Sequence, residues 1–368
     1  MRFKGRQRVA TFGIILGVFV LVASPVAASS SFKGHFSTVS TVASTVPANG
    51  DINPYGVAIV PRSIGDLHRG NTLVSNFNNA ANAQGTGTTI VEVAPGGAVS
   101  TFATITNGDV AGRCPGGVGL TTALVALRSG WVIVGSLPTS DGTSATAKAG
   151  CLIILDAWGH VAETIKGGAI DGPWDMTAND DGFVAQLFVT NVLHGTVAAG
   201  GAEVDRGTVV RLTILTAFVR RPLVLEETTI GSGFGERSDP AALVIGPTGL
   251  GLGRDGTLYV ADTLSSRIAA IPNASFRQGS AGSGRTVSTG GALNQPLGLA
   301  IAPNGNVLTV NGGDGNLVET TPSGSQVATV TLDGAGGGAG LLFGLAVRPD
   351  GRGIDFVDDG TNTLDLFH

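Results

Sequence analysis

The stretch Gly246-Pro-Thr-Gly-Leu-Gly-Leu-Gly-Arg-Asp-Gly-Thr-Leu-Tyr-Val-Ala-Asp262 reads as a hairpin. Pro247 and Gly249 open a short apolar strand, Arg254-Asp255-Gly256 forms the turn, and Leu258 to Ala261 return in alternation. Asp-Gly between two such runs is a strong short-range hairpin signal. The phrase recurs as Pro296-Leu-Gly-Leu-Ala-Ile-Ala-Pro-Asn-Gly-Asn-Val-Leu-Thr-Val-Asn311, and again as Phe343-Gly-Leu-Ala-Val-Arg-Pro-Asp-Gly351. A hairpin repeated at wide spacing means a repeat architecture, and that constrains the fold more than any other feature.

The Pro-x-Gly opening also occurs at Pro54-Tyr55-Gly56 and Pro115-Gly116-Gly117, with looser copies at Pro173-Trp174-Asp175 and Leu342-Phe343-Gly344. Six units follow, starting near 54, 115, 173, 247, 296 and 342. In each, a second strand ends on a small polar residue: Asn76, Ser136, Asn191, Asp262, Asn311 and Asp358. A third strand follows in every unit and a fourth in the first five. With 58 glycines and no amphipathic helix, the expected fold is all-β: a six-bladed β-propeller with four-stranded antiparallel blades. The last unit stops at its third strand at His368. Phe36-Ser-Thr-Val-Ser-Thr-Val-Ala43 alternates like a fourth strand, so residues 36–43 are expected to close the last blade and remove two open edges.

Residues 1–28 read as a secretory signal peptide of the Sec type. Arg2, Lys4, Arg6 and Arg8 precede an apolar run from Thr11 to Ala23, and Val26-Ala27-Ala28 supplies small residues for cleavage before Ser29. The competing expectation is an uncleaved anchor. The apolar run is shorter than the roughly 20 residues a spanning helix needs, and no later segment could span a bilayer. Residues 29–368 are then one secreted domain, extracellular or periplasmic, with no membrane contact after cleavage and expected to be a monomer. A net charge of −5 and the absence of a basic run after residue 8 give no nucleic-acid footprint. Cys114 and Cys151 fall in one unit, and in an oxidising compartment they are expected to form a disulfide.

The phrases Asp255-Gly-Thr-Leu-Tyr-Val-Ala-Asp262, Asn304-Gly-Asn-Val-Leu-Thr-Val-Asn311 and Asn316-Leu-Val-Glu-Thr-Thr-Pro-Ser-Gly324 resemble NHL-repeat propellers. That resemblance places the chain beside a broad superfamily. It includes calcium-dependent lactonases of the senescence-marker/gluconolactonase group, strictosidine-synthase-like enzymes, an amidating lyase and non-catalytic binding domains, so it leaves function open. In the lactonase group the residue before the opening glycine supplies Asn or Asp ligands to calcium, hard oxygen donors suited to that ion. Here those positions are Tyr55, Gly116, Trp174, Thr248, Leu297 and Phe343. This set does not support a calcium site, and no metal or other cofactor is expected. The channel histidines of the amidating lyase have no equivalents.

Two uses remain for these residues. Tyr55, Trp174, Leu297 and Phe343 either line a channel mouth that takes a small apolar ligand or plug it by packing on each other. The strand-end residues, among them Asn76, Asn191, Asp262 and Asn311, either bond the following turn or form a polar ring that orients a ligand. Long connections, Phe77–Gly87, Leu137–Gly150 and Val192–Gly207 in the first three units and Ile230–Gly246 at the entry to the fourth, fall on one face. Such insertions on a rigid scaffold build binding surfaces. His194 lies on this wall with Asp205 in the same loop, a His–Asp pair able to act as general base. The leading expectation is a binding or interaction module, taking a protein, a glycan or a small apolar ligand on this face. The alternative is a lactonase- or esterase-like hydrolase with a degenerate metal site, using Asp175, Asn191 and Asp262.

Overall fold

The computed structural model describes residues 1–2, 31–338 and 340–368. The signal-peptide reading, residues 1–28, lies outside the described residues from residue 3 onward. Among the described residues no helix is long and apolar enough to cross a membrane. Residues 31–368 form one compact unit. Its strands pair into six antiparallel sheets, each starting from an inner strand at the ring axis. The hairpins predicted for blades 4, 5 and 6 are present: Pro247–Leu252 with Leu258–Asp262, Pro296–Ile301 with Val307–Asn311, and Leu342–Val347 with Ile354–Asp358.

Each opening glycine lets neighbouring backbones meet. A Cβ on Gly249, Gly298 or Gly344 would strike the carbonyl of Leu297, Phe343 or Tyr55 in the next blade. Hydroxyls add hooks between blades. Ser75 donates to the Thr121 carbonyl at 2.8 Å, and Thr190 donates to the Thr248 carbonyl at 3.1 Å. The ring closes on itself as expected. Val39–Ser44 pairs with the last strand, Thr363–Phe367, and Ser37 and Thr38 donate to the His368 carbonyl. The His368 ring meets the Ser40 hydroxyl at 3.1 Å.

Two blades depart from the expected phasing. In blade 2 the inner strand is Leu120–Ala126, and Leu120 pairs with Ser136 as Pro54 pairs with Asn76. Pro115-Gly116-Gly117 is therefore a lead-in turn, and the channel-mouth position belongs to Thr121, not Gly116. In blade 3 the long connections are largely strand, apart from residues 192–203, which hold the short helix Thr196–Ala199. Val204–Leu215 pairs along Leu223–Asp239, which then pairs with Leu243–Ile245 as a fifth strand. The register shifts four times along the first of these pairs, and such bulges let the ribbon bend away from the blade plane.

The wall is continuous across blades. Gln84 of the blade 1 loop donates to the Pro240 carbonyl of the blade 3 ribbon at 3.2 Å. Thr139 of the blade 2 loop donates to the Gln84 carbonyl at 2.6 Å. Cys114 and Cys151 form a disulfide with Cα atoms 5.4 Å apart, tying the blade 2 lead-in to its third strand. Closing a loop of this span stabilises by roughly 4 kcal/mol in the chain-entropy account. The bridge fits an oxidising compartment.

Candidate functional site

At the wall end of the channel, Tyr55 and Phe343 stack with centroids 3.8 Å apart, and Phe77 stacks on Tyr55 at 4.4 Å. Trp174 meets Tyr55 and Phe77 edge-on at 6.1 and 5.7 Å. Leu243 and Val244 of the added strand pack into the same cluster, against which Leu297 is partly buried. These side chains fill the mouth with aromatic pairs in favoured offset and edge geometries. Phe77 belongs here although its position reads as the start of a loop, because the strand Thr72–Asn78 runs past Asn76. The buried Tyr55 hydroxyl has its pKa pushed well up by burial and by the nearby Asp359. Such a mouth offers no oxygen cage. Among the described residues, no group of three or more His, Cys, Asp or Glu is placed to hold a metal ion.

Behind the plug lies Asp175, in the place where blades 1, 4, 5 and 6 have glycine and blade 2 has Thr122. Its Oδ1 accepts from the Met176 N–H at 2.7 Å, and burial pushes its carboxyl well above the ordinary range. It lines a channel cavity of about 730 Å³ that runs past Val57, Leu124, Leu250 and Leu299 to Arg128 and Arg254 at the opposite face. Asp180 also lines this cavity, with Arg128 and Arg254.

Most of the strand-end ring serves the fold. Asn76 donates to the Thr45 carbonyl at 3.1 Å and to the Thr89 hydroxyl at 3.2 Å. Asp262 accepts from the Arg267 guanidinium at 2.6 Å. Asn311 donates to the Ala292 carbonyl at 2.7 Å and to Asp314 at 3.0 Å. Asp358 accepts from the Thr361 N–H at 3.3 Å; burial and the nearby Asp333 push its pKa to about 6.

Asn191 is different. It is fully buried, yet neither its amide nitrogen nor its carbonyl oxygen has a hydrogen-bond partner. Buried polar groups left this way mark room for a water or a ligand.

Three titratable groups gather at the same end of blade 3. Nε2 of His194 lies 3.4 Å from Oδ2 of Asp171, and both side chains are about 28–29% exposed. The sequence paired His194 with Asp205. In the structure Asp205 is exposed, on the strand that runs beside Gly235. The true partner comes from the lead-in to blade 3, far from the loop that carries His194. Burial raises the Asp171 pKa against the lowering pull of His194.

Glu236 is fully buried, and neither carboxyl oxygen has a well-formed hydrogen bond. Burial pushes its pKa to about 8, with Asp171 adding to the rise and the His194 N–H and Arg206 opposing it. A neutral carboxylic acid thus sits beneath a solvent-accessible His–Asp pair. The Nδ1 atom of His194 and Oδ1 of Asp171 are also buried without partners. Glu236 was invisible in the sequence reading, a lone acid in a segment read as a loop. Burial raises both carboxyls, and perturbed acids gathered beside a histidine make a candidate acid–base site.

No protein-family profile matches the chain, and no curated protein does. Solved structures do. A calcium-binding protein, regucalcin, from Agrobacterium tumefaciens superposes with a TM-score of 0.56 at 13% identity, covering 88% of this chain and 92% of that one. A gluconolactonase of Xanthomonas campestris gives 0.55 at 13% identity, covering 89% and 88%. A PQQ-bound aldose sugar dehydrogenase from Streptomyces coelicolor gives 0.54 at 18% identity, covering 90% and 97%. At these identities the likeness is one of fold. The chain is a six-bladed β-propeller similar in architecture to the gluconolactonase and regucalcin propellers.

Proposed function

We propose that this propeller is a secreted hydrolase of small lactones or esters, with its acid–base chemistry at Asp171, His194 and Glu236 on the blade 3 wall. The observation that carries this is the buried Glu236, its pKa pushed to about 8, beside a half-open His194–Asp171 pair, with an Asn191 that has no partner three residues before His194. The gluconolactonase among its structural neighbours supports the substrate class. The Cys114–Cys151 bridge supports the compartment. Binding of an apolar ligand in the channel mouth has less support, because Tyr55, Trp174 and Phe343 are spent on one another.

In this reading Asp171 orients the imidazole of His194, which takes a proton from the attacking water. The carbonyl carbon becomes tetrahedral, and its oxyanion accepts from the Asn191 amide and the Arg206 guanidinium. The C–O bond breaks as Glu236 gives its proton to the departing alkoxide. The imidazolium proton then returns to Glu236, leaving the acid and alcohol products. The residues at the channel mouth do not fit the lactonase calcium site, so no step passes through a metal.

Initial rates on a panel of aliphatic lactones, aromatic lactones and nitrophenyl esters, with and without a chelator, test the proposal. Turnover that survives chelation is expected. No turnover on any class, or turnover lost to the chelator, would overturn it.

A further inference from the structure

The face opposite the wall carries a feature that hydrolysis does not use. Antiparallel pairing puts the turns between first and second strands, and those between third and fourth, on that one face. Four aromatics stand at their tips in adjoining blades. Trp158 is 57% exposed, Phe183 56%, Phe218 96% and Phe276 83%. Phe183 and Phe218 lie 5.8 Å apart, and with Trp131, Trp158, Arg62 and Arg128 they line a groove of about 940 Å³. Single exposed apolar residues are ordinary; a cluster on one face marks an interaction surface.

Charge separates this face from the rest of the domain. The turns of blades 1–4 carry seven arginines (Arg62, Arg69, Arg128, Arg220, Arg221, Arg254 and Arg277) against four aspartates (Asp66, Asp156, Asp181 and Asp255), with no Lys or Glu. Elsewhere in residues 29–368, eleven Lys and Arg face twenty-three Asp and Glu. Arg221 is paired with Glu163 at 2.7 Å, whereas Arg62, Arg69 and Arg128 are exposed at the rim of the groove.

We propose that this face docks on an anionic phospholipid surface, with Trp158, Phe183 and Phe218 entering the headgroup layer and Arg62, Arg69 and Arg128 meeting lipid phosphates. Aromatic rings favour the membrane–water boundary, where an apolar body and a polar edge are both satisfied. Guanidinium groups fit phosphate oxygens in pairs. Side chains projecting from separate turn tips suit a planar partner better than an enclosed ligand. Attraction of the arginine-rich face and repulsion of the acidic remainder would orient the domain with its wall away from the lipid.

The test is co-sedimentation of the protein from Ser29 onward, whose ring is complete within residues 31–368, with phosphatidylcholine vesicles or vesicles containing roughly one-third phosphatidylglycerol. Binding is expected only with the anionic vesicles, and it should weaken as salt rises. Replacing Arg62, Arg69 and Arg128 with Gln should weaken partition about a hundredfold. Trp158→Ala with Phe218→Ala should weaken it about tenfold. All these side chains are exposed, so melting temperatures should stay near that of the parent and report the fold of each variant. Equal binding to both vesicle types, unchanged binding by the arginine variant, or retention on an insoluble polysaccharide with no vesicle binding would each overturn the proposal.

Discussion

Asn76 and Asn191 occupy the same place in blades 1 and 3, at the end of a second strand with Pro54 or Pro173 opposite. Both are fully buried. The Asn76 amide nitrogen is held by Thr45 and Thr89, which ties it to the ring closure, while its buried carbonyl oxygen has no partner. Asn191 has neither atom satisfied, and its blade end holds His194, Asp171 and Glu236 in place of structural partners. An unsatisfied buried amide costs on the order of 1–3 kcal/mol, a strain that structure alone does not repay. The two positions teach that one repeat position can brace one blade and be left open for chemistry in another.

The sharpest way to break this comparison is His194→Ala. Removing a general base should lower turnover by about 10²–10⁴-fold while leaving the melting temperature near that of the parent. Asn76→Ala should do the reverse, with a lower melting temperature and normal turnover. If both variants behave alike, the contrast between blades is lost.

Next in size is the pH dependence of stability. Glu236 titrates near 8 in the folded chain and near 4.5 when unfolded. Between those values the folded state holds the extra proton, so stability falls as pH rises toward 8. Asp358 and Asp359, both at about 6, contribute to the fall only at its acidic end. Glu236→Gln should therefore flatten denaturant midpoints between pH 6 and 8 and leave the lower range sloped. An unaltered slope would mean that Glu236 is not the neutral acid described here.

The smallest effect sharpens the comparison at the asparagines themselves. Asn76→Ala should cost about 1–3 kcal/mol in denaturant unfolding, since it strands the buried Thr45 carbonyl and takes one bond from the Thr89 hydroxyl, which still donates to Asp51. Asn191→Ala should cost less than about 1 kcal/mol, because it strands nothing and removes two unpaired groups.

The fold was legible because every blade must turn twice and approach its neighbour closely, and only proline, glycine and Asp-Gly or Asn-Gly do this cheaply. The ring closure was legible because an unfinished blade demands a strand. Blade 2 misled because Pro115-Gly116-Gly117 imitates the opening that Leu120-Thr121-Thr122 fills, and only the Leu120–Ser136 pairing separates them. The site was legible in part. Asn191 and His194 stood out as polar residues on a long-loop wall, but Asp171 reaches His194 from the lead-in to blade 3 and Glu236 from the blade 3 ribbon. The partner of that ribbon, Val204–Leu215 against Leu223–Asp239, is set by a long, bulged pairing that no local pattern announces.

The measurement that tests the central claim most directly is the pH profile of lactone or ester hydrolysis for the parent chain and Glu236→Gln. The parent should lose kcat above about pH 8 as Glu236 gives up its proton, and Glu236→Gln should be slower at neutral pH with no such alkaline limb. A Glu236→Gln variant that matches the parent in both rate and profile would contradict the account.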